Sequence, residues 1–318
     1  LKSLINQNIK NIFILIVDDN SIDNTKQKAH QTLKNFKNLK FKIIKGKKLP
    51  AGWSGKVWAL KQGVDLAVSK NFSHFLFMDS DIILHKNIIR DSISYLEEKK
   101  LKMLSLMAKL KCKTKWEKLL IPSFIYFFQK LFPFNQVNSK NNKLSAAAGG
   151  FILCKSEIFK DINLYEIIKD KIIDDCNLAK LIKKDGKVWL SLTTKVESRR
   201  SYQTLSEIWR MVSRTAYEQL NNSILNLILS IFGLFMLYIF PLISLILFLN
   251  HEISVVYVNL VSLFLMTASF IPTINFYKIS PAYYISLPFS GLLYTMMTIS
   301  SAKNYYFSEG NIWKGRRY

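Results

Sequence analysis

The chain has 318 residues and a formal net charge of +23, and its charges are concentrated in the first two thirds. Forty of its 45 basic and 20 of its 22 acidic side chains precede Asn221. The three cysteines form no C-x-x-C pair and the four histidines do not cluster, which argues against a disulfide framework and against a zinc site. The composition therefore predicts a basic N-terminal part followed by an apolar C-terminal part.

The N-terminal part alternates between apolar runs and stretches with helical spacing. Residues 12–17 and the run HFLFMDSDI (74–82) are typical of strands that are buried on both faces, and LKFKIIKG (39–46) is a further strand. Residues 21–36 form a predicted helix with a Ser or Asp cap, and residues 55–68 form another. This alternation predicts an α/β fold with a doubly wound, parallel or mixed sheet flanked by helices.

Two pairs of carboxylates follow predicted strands, Asp18 with Asp19 and Asp79 with Asp81. Ligands bind beyond the carboxyl ends of the strands in such sheets, and clustered carboxylates repel each other unless a cation is present. An Asp-x-Asp motif suits Mg²⁺ or Mn²⁺ that also holds substrate phosphates. Taken alone, each pair is explained as well by a turn, because Asp is common in turns.

The C-terminal part contains long uncharged stretches, each of which exceeds the ~20 residues that a membrane span needs. These stretches are residues 221–250, 253–277 and 279–302. We therefore predict an α/β domain over 1–220, a transmembrane region with about three apolar segments over 221–302, and a basic tail over 303–318.

The charge distribution predicts a multi-pass cell-membrane protein with its basic domain on the cytoplasmic side. The basic tail favours the same side, which requires an even number of crossings although three apolar stretches are present. Pro241 can bend or break the longest stretch, so either its first part lies in the interface or one stretch is a re-entrant hairpin.

Residues 116–134 are rich in aromatic side chains and contain Pro122 and Pro133, which leave the segment too broken to cross a membrane. We predict an amphipathic segment that lies in the membrane interface. An ordinary core helix is the alternative.

Several motifs occur in an order that is similar to that of a known family. They are IVDDNSIDNT, LPAGWSGKVWALKQGV, MDSDI, AAAGGFILCKSEIF, IIDDCNLAKLI, EIWRMVSRTAYEQL and WKGRRY. Together they resemble the family 2 glycosyltransferases of the GT-A fold, and most of all the hopanoid-associated membrane glycosyltransferases. The resemblance covers essentially the whole chain. It also implies a first strand before Leu1, so we expect the sequence to lack the N-terminal edge of the nucleotide pocket.

The resemblance implies roles for the first group of candidate residues. Asp19, with Asp18 beside it, would contact the nucleoside of a nucleotide sugar, and Lys56 would reach its phosphates. Asp79 and Asp81 would form the metal-binding Asp-x-Asp, with Asp81 as the direct ligand of Mg²⁺ or Mn²⁺.

It also implies how the reacting groups are arranged. Gly149 and Gly150 would let the backbone pass close to the sugar and the acceptor. In the acidic pair of IIDDC, Asp175 would be the catalytic base, and we expect Asp174 to cap the following helix, although either residue could form that cap.

The motif that ends the catalytic domain departs from that of the processive family members. Arg214 matches their Arg, but Met211 replaces the Gln and Thr215 replaces the Trp that stacks on a growing sugar chain. This difference favours transfer of a single sugar.

Arg210 and Arg214 lie one helical turn apart and would hold either the diphosphate or lipid headgroups.

The sequence thus predicts a metal-dependent inverting glycosyltransferase that acts on a membrane lipid of the isoprenoid or hopanoid type. Its partners would be a UDP-sugar and the membrane, and no motif supports binding to nucleic acid. The alternatives are a polyprenyl-phosphate sugar synthase, a polysaccharide synthase and a catalytically silent membrane scaffold.

Overall fold

The computed structural model describes residues 1–7, 9, 11–36, 39–160, 163–248, 253–307, 312–313 and 316–317. The chain divides into two compact units. The first unit comprises Leu1–Leu110 and Phe132–Arg200, and the second comprises Lys111–Leu131 and Ser201–Tyr318. Part of the predicted basic tail, including Lys314, lies outside the described residues.

The strands lie mainly in the first unit. In chain order they are β1 (Phe13–Asp18), β2 (Lys40–Lys45), β3 (His74–Met78), β4 (Ile82–Leu84), β5 (Met103–Lys109), β6 (Phe151–Lys155) and β7 (Val188–Ser198), followed in the second unit by β8 (Ile312–Trp313) and β9 (Arg316–Arg317).

The first unit contains a parallel pair and a mixed sheet. β1 and β2 pair in parallel, as expected for strands joined by a helix. The order of the other five strands is β3-β6-β5-β7-β4. β6 runs antiparallel to β3 and β5, whereas β7 is parallel to β5 and antiparallel to β4. The α/β fold is confirmed in its mixed form.

The helices occur in both units. In chain order they are α1 (Lys2–Ile5), α2 (Thr25–Lys34), α3 (Gly55–Val68), α4 (Ile88–Glu98), α5 (Lys115–Leu131), α6 (Phe134–Asn138), α7 (Leu164–Ile167), α8 (Asp174–Asp185), α9 (Leu205–Ser213), α10 (Ala216–Gln219), α11 (Ile224–Leu234), α12 (Phe240–Leu247), α13 (Ile253–Tyr277) and α14 (Leu287–Phe307). The N-cap of α2 is Asn24 rather than the predicted Ser or Asp, and its side chain makes no capping bond.

The core of the first unit lies between its mixed sheet and α4. β5 is buried over six of its seven residues, as expected for a central strand that is covered on both faces. Ile88, Ile89 and Leu96 form the buried apolar face of α4 against it. This core fixes β3 and β4, and the short link between those two strands carries the Asp-x-Asp motif.

The second unit begins with a carboxylate that is completely buried. Glu117 accepts hydrogen bonds from the backbone N–H groups of Lys113, Thr114 and Tyr202 and from the Ser201 hydroxyl, at 2.6–3.0 Å. Burial alone would raise the pKa of Glu117, but these donors outweigh it and lower the pKa. Since hydrogen bonds to charged groups contribute about 1.5–3 kcal/mol each, Glu117 firmly joins the start of α5 to the chain that leads into α9.

α5 is one continuous helix through Pro122, so the expectation of a segment broken by proline is wrong at that position. A proline inside a helix removes a hydrogen bond and disturbs the carbonyls of the preceding turn. Here the hydroxyls of Ser290 and Tyr294 donate to the carbonyls of Leu119 and Leu120, at 3.2 and 2.8 Å. The middle of α5, including the four consecutive residues 120–123, is buried in the second unit, and its location in a membrane interface stays a prediction.

Two helical segments of the described residues are long and apolar enough to cross a membrane, judged by length and composition. They are Ile224–Leu247 and Ile253–Tyr277. The first contains a π-helical turn, Phe235–Ile239, which ends two residues before Pro241. This irregularity agrees with the predicted effect of Pro241, since a proline disturbs the helical hydrogen bonds that precede it.

The third apolar stretch is not among these candidates. It begins with a 3-10 turn, Pro281–Ile285, and ten of the 21 residues of α14 are buried. Its hydroxyls take part in packing, because Ser300 accepts from Trp209 Nε1 at 3.1 Å and Ser301 accepts from Tyr217 N at 3.0 Å.

Candidate active site

The end of β1 carries the first acidic pair. Asp18 is buried, and its carboxylate accepts from Ser21 N at 3.2 Å, so this side chain closes the turn after the strand. Gly46 N donates to the carbonyl of Asp18 at 2.7 Å, and a Cβ at Gly46 would lie 3.1 Å from that oxygen. The ends of β1 and β2 are therefore held tightly together, with the partly exposed Asp19 next in the chain.

Lys56 lies in the first turn of α3 and contacts two acidic segments. Its Nζ is 3.0 Å from Asp174 Oδ1 and 3.7 Å from Asp79 Oδ1. Burial alone would lower the pKa of Lys56, but the carboxylates of Asp174, Asp79 and Asp175 outweigh it and raise the pKa. The ammonium therefore stays charged, and it joins the Asp-x-Asp motif to the start of α8.

Asp174 and Asp175 are the first residues of α8. The prediction that Asp174 caps this helix is wrong, because the N-cap is Ile173 and no side chain makes a capping bond. The carboxylate of Asp174 pairs with Lys56 instead. An acidic side chain is still favourable in this first turn because the N-terminus of a helix carries a partial positive charge.

The carboxylate of Asp175 lies in an unusual electrostatic setting. Its Oδ1 accepts from Cys176 N at 2.8 Å, and the backbone of Gly149 also hydrogen-bonds to it. Burial, together with the negative charge of Asp174, raises the pKa of Asp175 to about 6 even though Lys56 opposes this rise. The group is therefore ionised at neutral pH and is much more basic than an ordinary aspartate.

The backbone at Gly149 passes between these charged groups. A Cβ at that position would lie 2.9 Å from Lys56 Nζ and 3.2 Å from Asp175 Oδ2. At Gly150 a Cβ would lie 3.1 Å from Ile82 Cδ1. Glycine at both positions lets the backbone approach these neighbouring side chains closely. The structure therefore brings the segment around Gly149 together with Lys56 and the acidic pair.

Two serines at this site were not predicted. Ser105 on β5 donates to the carbonyl of Ala148 at 3.1 Å and accepts from its N–H at 2.8 Å, which fixes the backbone just before Gly149. Ser198, at the end of β7, donates to Asp81 Oδ2 at 2.7 Å. No local pattern identifies either serine, because both partners are distant in the sequence.

The glycosyl transferase family 2 model matches residues 1–163, about half of the chain. The chain belongs to glycosyl transferase family 2. The match includes the candidate residues from Asp18 to Gly150, whereas Asp174 and Asp175 follow it. This protein is therefore a glycosyltransferase.

Solved structures are similar to this family 2 glycosyltransferase at low identity. A crystal structure of S. aureus TarS is 19% identical with a TM-score of 0.41, and the match covers 68% of this chain and 36% of that chain. TarS 1–349 in complex with UDP is 17% identical with a TM-score of 0.40, covering 99% and 89% of the two chains.

Glucosyl-3-phosphoglycerate synthase from Mycobacterium tuberculosis, in complex with phosphoglyceric acid, is 15% identical with a TM-score of 0.38, covering 65% of this chain and 67% of that one. No curated protein matches the sequence.

Family enzymes of the GT-A fold commonly use a divalent metal. The Asp-x-Asp motif is the candidate metal site of this glycosyltransferase. Among the described residues no three His, Cys, Asp or Glu side chains gather to hold a metal ion. Partial burial, opposed by Lys56 but reinforced by Asp174 and Asp81, raises the pKa of Asp79. Because Mg²⁺ needs only one or two carboxylates when phosphates and water complete its shell, Asp79 and Asp81 fit such an ion.

The remaining candidates, Arg210 and Arg214, belong to the second unit of the glycosyltransferase. Arg210 is exposed near the end of α9, and Arg214 is the C-cap residue of that helix. Their proposed contact with a diphosphate or with lipid headgroups stays a prediction.

Proposed function

We propose that this glycosyltransferase moves one sugar, with inversion, from a nucleotide diphosphate sugar to the hydroxyl of a membrane lipid of the isoprenoid or hopanoid type. The observation that carries the proposal is the position of Asp175. Its basic carboxylate lies beside the backbone of Gly149, next to a lysine that pairs with Asp174 and Asp79.

Asp175 is the catalytic base of the proposed reaction. The acceptor oxygen forms a bond to the anomeric carbon while the bond from that carbon to the diphosphate breaks. The proton of the acceptor hydroxyl passes to the carboxylate of Asp175. Because burial raises the pKa of Asp175 to about 6, the group is both ionised and basic at neutral pH, which suits a general base.

The leaving diphosphate is stabilised by positive charge. Lys56 supplies a permanent ammonium beside Asp79, and Asp79 and Asp81 would hold Mg²⁺ or Mn²⁺. When bound, such an ion neutralises the charge that develops on the departing phosphate. Asp19, with Asp18 beside it, would contact the nucleoside of a UDP-sugar.

The sugar would then lie against the backbone of Gly149 and Gly150, where side chains are absent. Thr215 replaces the stacking tryptophan of processive enzymes, so one sugar is transferred.

The apolar surface of the second unit supports a membrane lipid as the acceptor. Large apolar side chains are exposed along both candidate spans, including Leu225, Leu229, Leu237, Ile246, Val258, Phe264 and Leu265. Large exposed apolar patches mark contact with a membrane or a partner. We therefore propose a multi-pass membrane protein whose catalytic unit faces the cytoplasm, where nucleotide sugars occur.

Purified full-length protein, incubated with radiolabelled UDP-sugars, Mn²⁺ and a lipid extract rich in isoprenoid alcohols, is expected to move label into the organic phase. Mass spectrometry should identify a lipid that carries one sugar. A water-soluble polymer would support a polysaccharide synthase, and an acid-labile sugar phosphate would support a polyprenyl-phosphate sugar synthase. Release of free sugar alone would contradict the lipid acceptor.

A further inference from the structure

Ser198 lies beside the Asp-x-Asp motif because of the sheet register. β4 and β7 are antiparallel, and Ile82 pairs with Ser198, the last residue of β7. Asp81 directly precedes Ile82, so the end of β7 meets the motif from a position 117 residues later in the chain. Ser198 is buried, whereas most turn serines are exposed.

The hydrogen bonds around Ser198 have a defined direction. Arg200 N donates to Ser198 Oγ at 3.1 Å, so this oxygen acts as an acceptor there. The hydroxyl proton of Ser198 then points to Asp81 Oδ2 at 2.7 Å, because an ionised carboxylate can only accept. The backbone of Asp81 is fixed as well, since Arg199 N donates to its carbonyl at 2.8 Å.

From this geometry we propose that Ser198 is a positioning residue that orients the carboxylate of Asp81 for a divalent cation. The inference rests on the proposed function. Oδ2 is committed to Ser198, and we assign Oδ1 to the cation. The neutral hydroxyl fixes the rotation of the carboxylate without cancelling the charge that attracts the ion. Hydrogen-bond partners of metal-binding carboxylates typically change metal affinity by about 10- to 100-fold.

The test is the binding of Mn²⁺ to the full chain in the presence of UDP, measured from the electron paramagnetic resonance signal of free Mn²⁺. Ser198→Ala removes the donor, Ser198→Cys keeps the size with a weak donor, and Ser198→Thr keeps the hydroxyl. Ser156→Ala is the matched control, because Ser156 is a buried serine of the same unit that donates to the carbonyl of Phe72. Asp81→Ala removes the assigned ligand.

We expect Ser198→Ala to weaken Mn²⁺ binding by about 10- to 100-fold, as partners of ligating carboxylates do. The Thr variant should stay near wild type, and the Cys variant should reproduce the loss if the Ala variant does not fold. If the Ala or Cys variant binds Mn²⁺ as the wild type does while Asp81→Ala does not bind, the role of Ser198 is refuted and the proposed function stands. Unchanged binding in Asp81→Ala would refute the metal site and this inference together.

Discussion

Replacing Asp175 with asparagine is expected to lower the rate of sugar transfer by about 10²-fold or more, with the fold and nucleotide binding intact. Asparagine has nearly the same size, and its single amide oxygen can still accept the hydrogen bond from Cys176 N. It cannot take a proton from the acceptor hydroxyl. Single-turnover rates with saturating donor measure this effect, and a UDP titration measures binding separately.

The matched control is Asp185→Asn, which changes an exposed aspartate at the other end of α8. A near-wild-type Asp175→Asn combined with an inactive Asp174→Asn would mean that the two roles are exchanged.

The wild-type enzyme should also lose kcat/KM below about pH 6, where the Asp175 carboxyl becomes protonated, and reach a plateau above it. This acidic limb should be missing from the residual activity of Asp175→Asn.

Replacing Asp81 with alanine is expected to abolish sugar transfer, because the divalent cation would lose its direct ligand and the diphosphate its neutralising charge. Activity should also depend on added Mn²⁺ or Mg²⁺. The measurement is initial rate against metal concentration for the wild type and the variant. Asp65→Ala is the control, since Asp65 is an exposed residue that pairs with Lys61 on the surface of α3. Full wild-type activity in excess chelator would contradict a metal requirement.

The elements of the first unit could be predicted where the sequence pattern is local. Continuous apolar runs identified β1 and β3, and helical spacing identified α3 with its observed bounds. The direction of β6 could not be predicted in this way, because strand pairing depends on contacts between distant segments. The sequence therefore supported a mixed or parallel sheet, and only the structure distinguished them.

The candidate site was predictable in its residue types but not in its contacts. The cap prediction for Asp174 failed because Lys56, which is far away in the sequence, pairs with its carboxylate. The absence of charged residues grouped the third apolar stretch with the other two, although Ser300 and Ser301 of α14 accept hydrogen bonds within the second unit. Ser198 carries no motif, and its role depends entirely on the register of β4 and β7.

The anomeric configuration of the product tests the central claim most directly. If Asp175 activates the acceptor for one direct displacement of the diphosphate, the sugar must arrive with inverted configuration. The anomeric proton coupling in the nuclear magnetic resonance spectrum of the purified product measures this. We predict a β-linked product from an α-linked UDP-glucose-type donor, and an α-linked product would contradict direct displacement with Asp175 as the base.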